Sequence, residues 1–114
     1  MSKDARNWAW ALAQSDLPAE HRLEPDKPRL NSTEVLVLLA ICELFNDKLG
    51  YAWPSQATIA DMTCLTERGV WNAVQKLQQR GLVEFERRKI GTGKWAKGRY
   101  RLPLSGIELP VWAA

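Results

Sequence analysis

The stretch IADMTCLTERGVWNAVQKLQQRGLVEF, residues 59–85, reads as two helices joined by a hinge, Thr63 to Leu65, too short for an ordinary loop. Ser55 is placed to cap the first helix, over Gln56 to Met62, and Thr66 to cap the second, because a hydroxyl at that position accepts from the orphan backbone N–H groups of the first turn. Glu67 suits the positive end of the second helix and Gly81 marks its C-terminal stop. Val70, Ala73, Val74 and Leu77 recur at helical spacing and predict the buried stripe. Arg68, Gly69, Trp71, Asn72, Gln75 and Gln79 are left to look elsewhere.

Upstream, NSTEVLVLLAICELFNDKLG predicts the strongest helix, capped by Asn31 or Ser32, with Glu34 in its first turn and Gly50 as its stop. From Val35 to Cys42 it is apolar around nearly its whole circumference, so both sides need cover. The candidates are a second copy of the chain or an N-terminal helix over Asp4 to Gln14, which carries Trp8, Ala11 and Leu12 on one side and would fold back with Trp8 and Trp10. Between them, Leu17 to Leu30 holds Pro18, Pro25 and Pro28, which interrupt a helix and predict an extended linker. YAWPSQ predicts a short extended segment stopped by Pro54.

Downstream, LVEFERRK alternates and pairs with GRYRL across the glycine-rich IGTGKWAK, a hairpin. The elements run helix, short strand, helix, helix, hairpin, a mainly α fold with a small β-hairpin. The 114 residues support one compact domain, divided as an N-terminal helix and linker (1–30), a central domain (31–102) and an apolar tail (103–114). Net charge is only +3, yet seven of sixteen Lys and Arg fall between Arg87 and Arg101, a run without Asp or Glu. The rest of the chain is mildly acidic. That asymmetry is a local positive field directed at a polyanion.

WPSQATIADMTCLTERGVWNAVQKLQQRGLV followed by GRYRL resembles the winged helix-turn-helix domains of phage and plasmid replication initiators, replisome organisers and small transcription regulators, over about residues 31–102. The resemblance implies a winged helix-turn-helix with an extra N-terminal helix. It also implies duplex DNA binding, with the helix at 66–79 in the major groove and the basic hairpin, 87–101, on the flanking backbone. The residue types agree. Arg68 and Asn72 lie one helical turn apart and suit guanine and adenine edges, and Gln75 extends their row. Thr66 and the helix start, with Ser55 and Gln56 before it, suit phosphates. Arg88, Lys89, Lys94, Lys97 and Arg99 supply sequence-independent attraction. Trp71, read as outward, suits a sugar or a thymine methyl, or a protein hot spot. Trp95, at the wing tip, reads equally as a backbone or minor-groove contact and as packing. Cys64 stands where the family usually has glycine.

Other chemistries lack their residues. A single His, no Ser/His/Asp arrangement and no paired carboxylates argue against an enzyme, and no clustered ligands point to a metal or cofactor. GTGK lacks the full phosphate-loop spacing. His21 reads as a solvated linker side chain, Cys42 and Cys64 as packing residues in a reducing compartment, and Trp8, Trp10 and Trp53 as packing around the apolar helix. With no apolar run near the roughly 20 residues of a bilayer span and no leader pattern, the expected location is the bacterial cytoplasm, at the nucleoid. The expected partners are double-stranded DNA and a second copy of the chain. The alternative function is a winged-helix inhibitor or adaptor that binds a host or phage protein, motivated by Glu67, Trp71 and the tail.

Overall fold

The computed structural model describes residues 3–46, 48–86 and 98–102. The elements are α1 (Lys3–Ala13), a short 3-10 helix (Ala19–His21), α2 (Ser32–Glu43), α3 (Gln56–Thr63), α4 (Glu67–Gln79), β1 (Glu84–Glu86) and β2 (Arg99–Arg101). Mainly α with one small antiparallel hairpin, this is the winged helix-turn-helix architecture expected from the sequence.

Helix α2 is the hub. Asn31 caps it with a full capping box: its side chain accepts from Glu34 N–H at 2.8 Å while the Glu34 carboxylate accepts from Asn31 N–H at 3.4 Å. Its need for cover on two sides is met within the chain, since α1 packs on it from one side while α3 and α4 do so from another. Arg6 near the start of α1 faces Glu43 at the end of α2, 3.8 Å away, so the two helices run antiparallel. Ala5, Trp8, Ala9 and Leu12 of α1 belong to the same core as Val37 and Ile41 of α2, Ile59 of α3, and Val70, Val74 and Leu77 of α4. Burying each large apolar side chain stabilises the fold by roughly 1.5–3 kcal/mol.

Several expectations are corrected. Trp8 is buried as expected, but Trp10 is 49% and Trp53 40% exposed, so neither packs around α2. Trp10 is two residues from Trp8, about 200° around the helix, so one face cannot bury both. Helix α2 stops at Glu43, well before Gly50. Phe45 turns into the core, and the Asn46 side chain accepts from Lys48 and Leu49 N–H, both at 3.0 Å, which closes a turn in place of further helix. Gly50, at φ 78°, serves that turn.

The linker is not extended either. Leu17 N–H donates to Pro28 O at 2.7 Å and Arg22 Nε to Leu17 O at 2.7 Å, so the segment closes on itself with Leu17 and Leu30 buried. His21 is not solvated: its Nδ1 lies 2.7 Å from Arg80 O. That contact joins the linker to the end of α4. Arg80 also makes a buried bidentate pair with Glu34, Nε to Oε2 at 2.6 Å and Nη2 to Oε1 at 3.2 Å. Cys42 is buried, and desolvation pushes its thiol up to about 12, so at neutral pH it is a protonated packing group.

Candidate nucleic-acid interface

Two capped helix starts and the root of the hairpin converge on one side of the molecule. Ser55, in extended backbone after Pro54, accepts from Thr58 N–H at 3.1 Å. Its hydroxyl is therefore engaged in capping, while the first N–H groups of the helix at the half-buried Gln56 have no partner within the helix. Thr66 repeats the device, accepting from Gly69 N–H at 3.0 Å. Glycine fits there: a Cβ on Gly69 would sit 3.2 Å from Thr66 Oγ1 and crowd the cap.

The turn between α3 and α4 runs through Cys64, which holds a left-handed backbone at φ 61°, ψ 27°, and no other described non-glycine residue has positive φ. An L side chain pays roughly 1–2 kcal/mol for that region. Glycine forgoes the clash but loses more chain entropy, roughly 0.5–1 kcal/mol. Cys64→Gly should therefore stabilise the fold by about 0.5–1 kcal/mol, read as a raised urea midpoint with unchanged slope. A lowered midpoint would show that the thiol side chain contributes more than its backbone strain costs.

Helix α4 presents two adjacent rows. Arg68 and Asn72 are exposed, Gln75 is half-buried on the same row, and Gln79 is exposed at its end. Neither Arg68 nor Asn72 has a hydrogen-bond or ionic partner among the described residues. The neighbouring row, about 100° around the helix, faces the hairpin. There Trp71 lies edge-on to Phe85, ring centroids 5.6 Å apart, and Gln78 Nε2 donates to Phe85 O at 3.4 Å. The hairpin root thus packs on the row next to the exposed one.

Trp71 differs from its sequence reading. It is half-buried and turned towards the hairpin, away from the outward ridge. Its ring closes a stack with Phe85 and Tyr100, the latter pair 4.7 Å apart. The sequence assigns no role to Phe85 or Gln78 and places Gly98 in a flexible hairpin tip, yet the three meet where the hairpin packs on α4. The alternation in LVEFERRK was the available signal for Phe85; Gly98 is explained only in three dimensions, where a Cβ would overlap the Phe85 ring.

The hairpin pairs Glu84 with Arg101, Phe85 with Tyr100 and Glu86 with Arg99. A third segment joins at its edge, Ala52 and Tyr100 exchanging N–H···O bonds of 2.9 and 2.7 Å. Between this sheet and the starts of α3 and α4 lies a cleft of about 300 Å³, lined by Pro54, Ser55, Gln56, Glu67, Phe85, Gly98 and Tyr100. Of the residues read as DNA-binding, Ser55 and Gln56 line this cleft, while Thr66 caps α4 and Arg68, Asn72 and Gln75 lie along that helix. Arg99 is exposed on β2 at the hairpin root. Arg88, Lys89, Lys94, Trp95 and Lys97, with the tail from Pro103, lie outside the described residues. Among the described residues no His, Cys, Asp or Glu cluster could hold a metal ion, and no helix is long and apolar enough to cross a membrane.

A family model described as a helix-turn-helix domain matches residues 29–83, from the end of the linker through α4. No curated protein and no solved structure matches the chain. Residues 29–83 are thus similar to a helix-turn-helix domain, and that similarity supports DNA as the partner.

Proposed function

We propose that this helix-turn-helix domain makes the chain a sequence-specific double-stranded DNA-binding protein of a mobile element, a transcription regulator or replication accessory factor. Helix α4 enters the major groove and the basic stretch 87–101 lies on the flanking backbone. The observation that carries the reading is the unpartnered, exposed pair Arg68 and Asn72 beside the hairpin root. One duplex reaches both. Arg68 reads a guanine edge, Asn72 an adenine edge, and Gln75 a neighbouring base. The starts of α3 and α4 hold phosphates, and Arg88, Lys89, Lys94, Lys97 and Arg99 neutralise others. Glu67, which has no ion-pair partner among the described residues, accepts from a cytosine amino group. Trp71 acts by bracing the wing.

The chain acts by binding, without catalysis or cofactor. It works as a homodimer, since one short helix reads only a few base pairs and two-fold symmetry doubles the site. Trp10 on α1 and Leu36 on α2, 49% and 42% exposed, offer apolar surface for that contact. The reading as an inhibitor or adaptor of a host nucleoprotein complex draws less support, because its central anchor, Trp71, is engaged with Phe85.

Selection from random duplexes, followed by a salt titration of the winning sequence, tests the proposal. Affinity should fall linearly on a log–log plot with a slope of about −0.9 per neutralised phosphate. No binding to any duplex at low salt would refute it.

A further inference from the structure

The outer face of the hairpin and its bridged edge segment carries an aromatic pair that the duplex contacts leave unused, beside Arg99, which they share. Ala52 and Tyr100 are buried and Phe85 packs on the core, so strand alternation puts Tyr51, Trp53, Arg99 and Arg101 on the opposite surface. Composition changes across that surface, from aromatic residues on the edge segment, through arginines on β2, to glutamates on β1. Arg101 is paired with Glu86 at 3.2 Å. Arg99 instead lies over the Tyr51 ring, 4.7 Å from its centroid. Arg99 thus puts a positive charge against the aromatic residues; its cross-strand partner Glu86 stands one strand spacing, about 5 Å, away on β1 and is paired with Arg101.

Trp53 completes the cluster. Its ring is 5.4 Å from Tyr51 and tilted by 59°, and it remains 40% exposed. Two residues later Ser55 caps α3 at the cleft, so the cluster is continuous with the proposed duplex interface. An aromatic pair beside a guanidinium, at the margin of a polyanion-binding surface, is suited to a ligand with a flat π-face and a negative backbone. Duplex interiors hide those faces; unpaired nucleotides offer them. An apolar or acidic peptide would satisfy the indole too, but the adjoining run without acids from Arg87 to Arg101 favours nucleic acid.

We propose that Tyr51, Trp53 and Arg99 form a stacking site for unpaired bases of a strand running on from the bound duplex, which makes the protein a reader of duplex to single-strand junctions. This rests on the duplex-binding reading. The full-length chain and its Trp53→Ala, Trp53→Phe and Arg99→Gln variants are compared by fluorescence anisotropy on three probes: a blunt duplex, the same duplex with an oligothymidine extension, and oligothymidine alone. The extension should tighten wild-type binding roughly tenfold. Trp53→Ala should lose that gain and keep its affinity for the blunt duplex, Trp53→Phe should retain part of it, and Arg99→Gln should reduce it.

Equal gains in wild type and Trp53→Ala, or no gain in wild type that binds the blunt duplex, would overturn the stacking site while leaving duplex recognition standing; the surface would then belong to a protein partner. If the blunt duplex is not bound at all, duplex recognition falls, and oligothymidine alone decides. Tighter binding by wild type than by Trp53→Ala keeps the stacking site, and equal binding removes it. Circular dichroism of Trp53→Ala should match wild type, since the indole lies outside the core; if that variant unfolds, the Trp53→Phe and Arg99→Gln comparisons decide alone.

Discussion

Replacing Arg80 with leucine should lower the free energy of unfolding by about 3–5 kcal/mol. Glu34 is 1% and Arg80 7% exposed, so the substitution strands a carboxylate in the interior. What remains for Glu34 is one weak acceptance from Asn31 N–H at 3.4 Å. Arg80 also donates through Nη1 to His21 O at 3.3 Å, and that carbonyl would lose its partner. Total stability for a domain of this size is about 5–15 kcal/mol, so the loss takes a fifth or more of it. Urea unfolding measures it directly.

The companion variant separates the pair's net worth from the penalty of breaking it. Adding Glu34→Gln to Arg80→Leu removes the stranded charge yet keeps a capping-box residue at that position. The double variant should recover most of the loss, since a buried ion pair contributes little beyond its own desolvation cost. A loss below about 1 kcal/mol for Arg80→Leu alone would mean that water or rearrangement reaches Glu34 readily. The pair matters for function through position. It fixes the C-terminal end of α4 to the N-terminal end of α2, and His21 locks the linker over the same joint.

The second large effect concerns binding. Arg68→Ala and Asn72→Ala should each weaken binding to the selected duplex by about 1–3 kcal/mol and relax the preference at one base position. Both side chains are exposed and unpartnered among the described residues, so nothing in the fold is lost with them. Alanine is the strongest helix former, so each variant should be as stable as wild type or slightly more so. Loss of affinity cannot then be attributed to unfolding. Lys94→Ala, from the basic stretch, should weaken all duplexes alike and make the salt dependence shallower. If the helix variants also weaken all sequences alike, α4 contacts backbone and not bases. If neither variant changes affinity, the interface lies elsewhere.

Much of the framework was legible because it is written in short-range chemistry. Asn31, Ser55 and Thr66 cap their helices through bonds to the third residue onward, and such contacts are decided within one helical turn. Gly81, at φ 76°, closes α4 for the same local reason, and Cys64, which stands where similar domains usually have glycine, holds the left-handed backbone that this likeness implies. The periodic Val70, Ala73, Val74 and Leu77 face the core as their spacing required. These features, with the exposure of Arg68 and Asn72, followed from the sequence alone.

Other features depended on which faces meet. Glu34 and Arg80 are 46 residues apart, and His21 and Arg80 are 59 apart, so no local pattern joins them. Trp71 reads as outward from helical spacing, but Phe85 arrives beside it only once the hairpin packs on α4. Trp8 and Trp10 are alike in composition; the orientation of α1 on α2 buries one and exposes the other. Local sequence sets backbone conformation through caps, turns and period, whereas long-range packing alone decides which side chains are removed from water and which are left to meet a partner.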